Sequence, residues 1–288
     1  MLKKRTVYLN GNFVPQDEAN ISVFDRGFLF ADAVYEVVSV IDGKILDFDG
    51  HAARLDRSLS ELRIRQPLHR QTLLDILRQL IIENQLDQGL VYLQISRGNP
   101  GDRDFAFPDE AVQPTVVMFT QAVSNLIDGP KSKTGVKVIS VPDLRWARRD
   151  IKTVQLLYPS MAKMLAKQAG VDDAWFVQDG FVTEGTANNA YIVKDNKVIT
   201  RALSNDILHG ITRTALLRYV ACTTLEIVER SFTIKEVMEA DEAFITGAST
   251  FVTPVIAIDG ESIGTGKPGQ ITRDLRALYI SEARKTAM

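Results

Sequence analysis

The chain has 288 residues, of which 45% are hydrophobic and 24% are charged, a composition that suits one large domain or two of ordinary size. Its formal net charge of −2 provides no global field that would favour nucleic acid or a membrane surface. Because Cys222 is the single cysteine and neither a signal peptide nor a membrane span is predicted, we expect a cytoplasmic protein without disulfides. The apolar residues around Cys222 predict that its thiol is buried.

In the first third of the chain, strand-like segments alternate with amphipathic ones, which is typical of a small domain of mixed structure. Asn10-Gly11 accepts positive φ and predicts a hairpin turn. Leucine and isoleucine at helical spacing predict one helix over residues 50–62 and a second that ends near residue 84. Strands are predicted at residues 7–9, 13–14, 33–40, 44–48, 91–96 and 115–120.

A polar segment with little periodicity, residues 122–133, is the predicted linker between two domains. We therefore predict a small N-terminal domain over residues 1–121 and a large C-terminal domain over residues 134–288, with a cleft between them. In the second domain, strands are predicted at residues 136–141, 174–177, 190–193, 242–245 and 252–258, and helices at residues 160–169, 211–222 and 270–287.

Four segments could carry chemistry, and the first contains Lys152. This lysine follows Arg145, Arg148 and Arg149 within a few residues. Neighbouring cations and desolvation favour the neutral, nucleophilic form of an amine. Most lysines lie on solvated surfaces, however, so Lys152 taken alone is more simply a surface residue.

The other three segments combine glycine with small polar residues. Glu184 is followed by Gly185, which allows a close approach of backbone to a ligand. Gly210 leads into a predicted helix whose first N–H groups are free to hold an anion. Gly247 opens a turn after a strand, where backbone N–H groups could cradle a phosphate. Ordinary turns and helix starts explain each segment equally well when it is taken alone.

In this order, the segments resemble those of the fold-type IV enzymes that use pyridoxal 5′-phosphate (PLP). That family comprises branched-chain aminotransferases, D-amino acid aminotransferases, (R)-amine transaminases and aminodeoxychorismate lyases, and the similarity is closest to the D-amino acid enzymes. It implies an α+β / α/β two-domain fold, with a smaller N-terminal α/β domain and a larger C-terminal domain with a β-barrel-like core. The motifs that carry the resemblance are Asp25-Arg26-Gly27, His51-Ala52-Ala53-Arg54-Leu55, the segment around Lys152, Glu184-Gly185-Thr186 and Gly210-Ile211-Thr212-Arg213.

The resemblance also implies roles for individual residues, with PLP as the cofactor. Lys152 would hold PLP as a Schiff base and shuttle the proton between the substrate Cα and the cofactor C4′. Glu184 would lie beside the pyridine nitrogen and keep it protonated. Arg54 would bind the phosphate as a bidentate partner. Further cofactor contacts are implied for Thr186, Ala187, Leu208, Ile211, Thr212, Gly247 and Ala248.

The substrate-binding residues are less regular. Tyr35 lies in a segment similar to the active-site strand of D-amino acid aminotransferases. In those enzymes a loop from the partner subunit supplies an arginine and a histidine that trap the substrate carboxylate. Arg103 aligns with the arginine, but Phe105 stands where the histidine is expected, and the loop is one residue longer. Losing one donor weakens carboxylate binding by roughly 1–3 kcal/mol unless another group replaces it. Further candidates for substrate binding or compensation are Arg26, Phe30, Arg145, Arg148 and Arg149.

Together these observations predict a D-amino acid transaminase with a ping-pong mechanism, in which D-alanine or D-glutamate is the amino donor and 2-oxoglutarate or pyruvate the 2-oxo acid acceptor. A homodimer is implied, with the active site at the domain cleft and the subunit interface. Nucleic acid, a membrane and a metal are not expected as partners. Alternatives within the family are an (R)-amine transaminase, a branched-chain aminotransferase and an aminodeoxychorismate lyase. A PLP-binding protein without catalytic activity and a phosphate-ligand binder without PLP are more distant alternatives.

Overall fold

An antiparallel sheet of six strands organises the first part of the chain in the computed structural model, which describes residues 5–288. Its strands are β1 (Thr6–Leu9), β2 (Asn12–Pro15), β3 (Ala33–Ile41), β4 (Lys44–Ile45), β5 (Gly89–Ser96) and β6 (Thr115–Ala122). They lie in the order β2-β1-β6-β5-β3-β4. The predicted hairpin is confirmed, because β1 pairs with β2 across Asn10 and Gly11, which both have positive φ.

Three helices accompany this sheet, namely α1 (Arg26–Phe30), α2 (Phe48–Glu61) and α3 (Arg70–Glu83). The apolar faces of α2 and α3 share one core with the sheet, in which Leu59 and Leu80 join Val38 and Val91 and all four are at most 2% exposed. Helix α2 begins two residues before its predicted start, because β4 ends at Ile45 and does not continue to residue 48 as predicted.

A mixed sheet of nine strands forms the core of the second part of the chain. The strands are β7 (Val136–Pro142), β8 (Asp173–Gln178), β9 (Phe181–Gly185), β10 (Asn189–Lys194), β11 (Lys197–Thr200), β12 (Glu226–Glu229), β13 (Glu242–Gly247), β14 (Phe251–Ile258) and β15 (Glu261–Ser262). Eight lie in the order β12-β11-β10-β13-β14-β7-β8-β9, and β15 pairs with β14. The terminal strand β9 also lies against β10, so the sheet curls back on itself. The predicted β-barrel-like core is thereby confirmed.

The helices of this part are α4 (Pro130–Thr134), α5 (Leu157–Gln168), α6 (Ile211–Val220), α7 (Ile234–Met238) and α8 (Gln270–Lys285). Cys222 lies in the turn after α6 and is exposed, so the prediction of a buried thiol is wrong. The reason is that α6 already ends at Val220. Leu216 and Val220 are buried residues of this helix, and the chain leaves the core before it reaches Cys222.

The described residues divide into two compact units, each built around one of the two sheets. The boundary lies after Ser124, but the chain returns twice to the first unit. The first unit therefore also contains residues 151–155 and 286–288, and the second unit consists of residues 125–150 and 156–285. The sequence alone places both returning segments in the C-terminal domain, and the structure differs on this point.

Residues 151–155 belong to the first unit because their backbone pairs with strand β3. The Tyr35 N–H donates to the Lys152 carbonyl at 3.0 Å, and the Val154 N–H donates to the Ala33 carbonyl at 3.2 Å. Lys152 is therefore a residue of the first unit.

A carboxylate from β13 holds the start of the long helix α8. Glu242 accepts hydrogen bonds from the Ile271 N–H (2.9 Å), the Thr272 N–H (2.8 Å) and the Thr272 hydroxyl (2.6 Å). We expect Glu242→Ala to lower the free energy of unfolding by about 1–3 kcal/mol, because three donors at a helix start lose a charged acceptor. Urea unfolding measures this, with exposed Glu261→Ala as the control. Equal stability of the two variants would contradict the assignment.

Candidate active site

Lys152 is fixed through its backbone, and its amine lies over an aromatic ring. Its carbonyl accepts the Tyr35 N–H, and its own N–H donates to the Ser58 hydroxyl at 3.3 Å. The Lys152 Nζ lies 4.1 Å from the centroid of the Tyr35 ring. The structure thus brings together the two residues that the sequence nominated separately as Schiff-base lysine and substrate contact. A nucleophilic amine and a phenol are available at one place.

Arg54 is held rigidly by a buried carboxylate of the neighbouring strand β3. Its Nε and Nη2 donate to the two carboxylate oxygens of Glu36 at 2.8 and 2.7 Å. His51 Nδ1 lies 2.7 Å from Glu36 Oε2, and all three side chains are buried. Burial by itself raises the pKa of Glu36, but the charge and hydrogen bonds of Arg54, together with His51, hold that pKa far below its usual range. The guanidinium therefore has a fixed orientation.

We expect Glu36→Gln to lower the free energy of unfolding by about 2–4 kcal/mol at pH 7, because the buried Arg54 loses its charged partner. Since the folded-state pKa of Glu36 is lowered, its contribution is complete above the ordinary pKa of a glutamate and is lost as the pH falls below it. The stability difference from wild type should therefore shrink on acidification, as urea unfolding at several pH values measures. Glu61→Gln on helix α2 is the control, and a constant difference at all pH values contradicts the assignment.

Glu184, at the end of β9, is a buried carboxylate with three fixed donors. Arg145 Nη1 donates to its Oε1 at 2.5 Å, and Asn189 Nδ2 and the Leu208 N–H each donate to its Oε2 at 3.0 Å. Arg145 is itself oriented by two hydrogen bonds to Asp143, at 2.9 and 2.7 Å. Burial raises the pKa of Glu184 despite the opposing effect of Arg145. A carboxyl group in this position is suited to share a proton with a cationic nitrogen.

The start of helix α6 lies beside this carboxylate. Gly210 occupies the N-cap position without a side-chain cap, so the N–H groups of Ile211 and Thr212 have no acceptor within the helix. A Cβ at Gly210 would lie 2.0 Å from Asn189 Oδ1, so only glycine fits here. Because Asn189 also contacts Glu184 and the Leu208 carbonyl, it connects the helix start to the buried carboxylate.

The turn at Gly247 and Ala248 lies against the turn that follows Glu184. A Cβ on Gly247 would lie 3.2 Å from the Ala187 carbonyl oxygen and 3.6 Å from the Asn188 Cβ. The hydroxyl of Thr186 donates to Asp173 at 2.5 Å, which secures this second turn to strand β8. In the second unit, Asn189 thus links Glu184 to the segment before α6, and the turn at Gly247 contacts the turn that follows Glu184.

Arg26 does not behave as a substrate-binding residue in the structure. It is 3% exposed, its Nε donates to Asp32 at 2.8 Å, and its Nη1 donates to the carbonyls of Asp104 and Ala106 at 2.5 and 3.1 Å. These bonds fasten the loop that carries Arg103. We therefore interpret Arg26 as an anchor of the loop, and its role in substrate binding stays a prediction.

The arginines near Lys152 are also engaged with other side chains. Arg148 pairs with Asp150 at 3.0 Å, and Arg149 donates to Gln178 at 2.7 Å. Arg145 is bound to its two carboxylates as described above. The structure therefore gives no support to the expectation that one of these three arginines compensates for the missing histidine.

Arg103, Phe105 and Phe30, by contrast, lie together. The Arg103 guanidinium carbon lies 4.9 Å from the Phe30 ring centroid and 4.8 Å from that of Phe105. Arg103 and Phe105 are exposed, and Phe105 exposes 76% of its surface.

The described residues offer neither a metal-binding cluster nor a membrane-spanning helix. Across residues 5–288, no group of three or more His, Cys, Asp or Glu side chains is arranged to hold a metal ion. None of the helices in that range has the length and apolar character needed to cross a membrane.

Comparison with known proteins extends these observations. The family model described as Amino-transferase class IV matches residues 33–258. A D-alanine aminotransferase of Staphylococcus aureus is 36% identical over 270 residues, which cover 94% of this chain and 95% of that protein. One from Bacillus licheniformis is 35% identical over 285 residues, which cover 97% of this chain and 99% of that protein.

Solved structures give a consistent result. A T.th. branched-chain amino acid aminotransferase with pyridoxamine 5′-phosphate has a TM-score of 0.88 and 25% identity, over 98% of this chain and 95% of that one. One from Escherichia coli has a TM-score of 0.86 and 21% identity, over 98% and 95% of the two chains, and supports the fold alone.

The chain belongs to the class IV aminotransferase family. The resemblance inferred from the sequence and the predicted fold are thus confirmed.

For a class IV aminotransferase, the cofactor is PLP, and the residues described above fit it. The buried Glu184 carboxylate suits a protonated pyridine nitrogen. The unengaged N–H groups at the start of α6 and the glycine turn at Gly247 suit a phosphate.

Three residues of this aminotransferase that matter for the site were not assigned from the sequence. Glu36 orients Arg54, Asn189 bridges Glu184 and the segment before α6, and Asp143 orients Arg145. Glu36 follows Tyr35 in the segment that is similar to the active-site strand, and Asn189 lies three residues after the Glu184-Gly185-Thr186 motif, so their position was a usable signal. For Asp143 the only available signal was its place two residues before Arg145, at the end of a strand.

Proposed function

We propose that this class IV aminotransferase moves the amino group of a D-amino acid to a 2-oxo acid. D-alanine and D-glutamate are the proposed donors, and 2-oxoglutarate and pyruvate the proposed acceptors. The observation that carries the proposal is the 36% identity, along 94% of the chain, to a protein named D-alanine aminotransferase. The branched-chain enzymes that match the structure are more distant in sequence, at 25% identity or below for the two described above.

When bound, PLP supplies an electron sink for the charge that develops at the substrate Cα. Lys152 acts as the amine that holds the cofactor and then carries the proton between Cα and C4′, since its Nζ is the basic group presented over Tyr35. Glu184 keeps a proton on the pyridine nitrogen, with Arg145 and Asn189 fixing its two oxygens. Each of these residues holds or moves a proton at one defined atom.

The phosphate of the cofactor is assigned to Arg54, the N–H groups of Ile211 and Thr212, and the turn at Gly247 and Ala248. Arg54 supports this assignment because Glu36 fixes its guanidinium before any ligand arrives. A side chain oriented in advance loses less rotational freedom on binding, which favours tight retention of the cofactor.

A homodimer is part of the proposal. On helix α5, four large apolar side chains at helical spacing are about half exposed or more. Exposed apolar patches of this kind are typical of surfaces that bind another protein. The four side chains are Leu157 (77%), Met161 (55%), Met164 (51%) and Leu165 (48%). A second copy of the chain is the proposed occupant. Sedimentation of Met161→Lys should show monomers, with Lys167→Ala, in the same helix, remaining dimeric.

A cytoplasmic location also remains proposed and rests on the single cysteine.

Absorbance of the pure protein with PLP tests the function. The yellow absorbance of bound PLP should give way to the shorter-wavelength absorbance of pyridoxamine phosphate when D-alanine is added, and 2-oxoglutarate should reverse the change. L-alanine and L-leucine should leave the spectrum unchanged. A fast response to L-leucine would instead assign a branched-chain enzyme, and product formation without an acceptor would assign a lyase.

The exposed apolar ring of Phe105 favours one second candidate, an (R)-amine transaminase, because a loop with fewer donors tolerates substrates that lack a carboxylate. (R)-1-Phenylethylamine in the same absorbance experiment distinguishes the two. A response to this amine that equals the response to D-alanine favours the second candidate.

A further inference from the structure

Three arginines and three phenylalanines alternate in one cluster of the first unit, which we call the arginine–phenylalanine cluster. Its contacts, measured from each guanidinium carbon to a ring centroid, are Arg97 to Phe107 (3.7 Å), Arg26 to Phe107 (5.9 Å), Arg26 to Phe30 (4.5 Å), Arg103 to Phe30 (4.9 Å) and Arg103 to Phe105 (4.8 Å). All these distances are within the range of favourable cation–π contacts. The cluster therefore has one cationic end at Arg97 and one at Arg103.

Two of the three arginines are engaged by oxygen acceptors. Asp32 accepts the Nε of both Arg26 and Arg97, at 2.8 and 2.7 Å, and also the Arg97 Nη2 at 3.0 Å. Arg97 also donates to the carbonyls of Arg63 and Leu62, at 2.9 and 2.8 Å. Arg26 donates in addition to the two loop carbonyls described above. The single negative charge of Asp32 thus pairs with two buried guanidinium groups, those of Arg26 and Arg97. The cluster therefore has an excess of positive charge.

Arg103 differs from the other two, because within residues 5–288 its guanidinium contacts two aromatic rings and makes neither a hydrogen bond nor an ion pair. The rings of Phe30 and Phe105 have centroids 5.4 Å apart and planes inclined at 59°. Both rings contact the guanidinium of Arg103. A ring that contacts a guanidinium face leaves the N–H groups at its edge available. Those donors match the two oxygens of a carboxylate.

We propose that Phe30 and Phe105 are positioning residues that hold Arg103 as the anchor for the carboxylate of the substrate. This inference rests on the proposed function, since it concerns the α-carboxylate shared by an amino acid donor and a 2-oxo acid acceptor. Phenylalanine at position 105 supplies no donor of its own. It restricts the motion of the arginine, so that Arg103 alone carries the recognition of carboxylate.

The proposal predicts a specific coupling between positions 103 and 105. At an exposed site a cation–π contact changes an equilibrium by about two- to fivefold. Phe105→Leu keeps the apolar volume but removes the π face, and should raise the dissociation constant of a carboxylate by that factor. After Arg103→Met, which itself should raise the constant by about tenfold or more, Phe105→Leu should have no further effect.

The experiment is a double-mutant cycle on the PLP-loaded enzyme, with propionate as the probe and calorimetry as the readout. Phe107→Leu is the matched control, because this ring contacts Arg97 and Arg26 but not Arg103. The KM and kcat for D-alanine are measured beside it. Phe105→Leu should raise KM and leave kcat unchanged, and Phe30→Leu should act in the same direction.

The proposal is overturned if Phe105→Leu changes the dissociation constant of propionate equally in the presence and in the absence of Arg103. Such a result would show that Phe105 has a structural role only. Propionate binding that is insensitive to Arg103→Met overturns it as well. Failure of the proposed function is distinguishable, because the enzyme would then respond to L-leucine or to an amine in absorbance. The propionate cycle does not depend on which amino donor reacts.

Discussion

Replacement of Lys152 by alanine is expected to reduce transamination by about 10³-fold or more, because one residue loses two functions. In the proposed function, its amine holds the cofactor, and the same amine moves the proton between Cα and C4′. The position is unusually well defined. The Lys152 carbonyl pairs with the Tyr35 N–H, and its Nζ lies 4.1 Å from the Tyr35 ring centroid. The measurement is the single-turnover rate with D-alanine, read as the loss of the yellow absorbance.

Lys44→Ala is the control for this prediction, since Lys44 is an exposed lysine of the same unit. Both variants should melt at the temperature of the wild type, because the side chain of Lys152 is only half-buried and its backbone bonds are retained. A Lys152→Ala protein that keeps more than about a tenth of the activity contradicts the assignment of Lys152 as the catalytic amine.

The local parts of the fold were predictable from the sequence, and the long-range parts were not. Helices α2 and α3 follow from the spacing of Leu55, Leu59, Leu77 and Leu80, because a helix buries one face at a fixed period. The return of residues 151–155 to the first unit depends on backbone bonds to β3, more than a hundred residues earlier in the chain. No local pattern records such a bond.

The site shows the same division. The sequence predicts roles for Lys152 and Glu184 because ordered motifs around them resemble a known family, and these roles remain predictions. The roles of the arginines were not predictable, because a guanidinium is a substrate ligand or a structural anchor according to its acceptors. Asp32 engages Arg26, and Asp143 engages Arg145. Only the folded chain shows which cations are already bound, and hence that Arg103 has donors to offer.

Glu184→Gln is expected to lower kcat by about 10²–10³-fold, which corresponds to roughly 3–4 kcal/mol in the activation free energy. The amide keeps the shape of the side chain but removes the charge that, in the proposed function, holds a proton on the pyridine nitrogen. With that proton lost, the electron sink for the substrate Cα is weaker. Glu226→Gln, at an exposed glutamate of strand β12, is the control and should retain full activity.

Stability separates this catalytic effect from a folding defect. Because burial raises the pKa of Glu184, the folded state binds its proton more tightly than the unfolded state does. Stability therefore decreases as the pH rises from the ordinary pKa of a glutamate through the raised value, and the charged carboxylate opposes folding above it. Glu184→Gln removes this cost, but its amide N–H₂ meets at least one of the three donors that contact Glu184, so the cofactor-free variant is expected to melt below the wild type. The kcat values are therefore compared at a temperature at which both proteins are folded, and full activity of the folded variant would contradict the proposed role of Glu184.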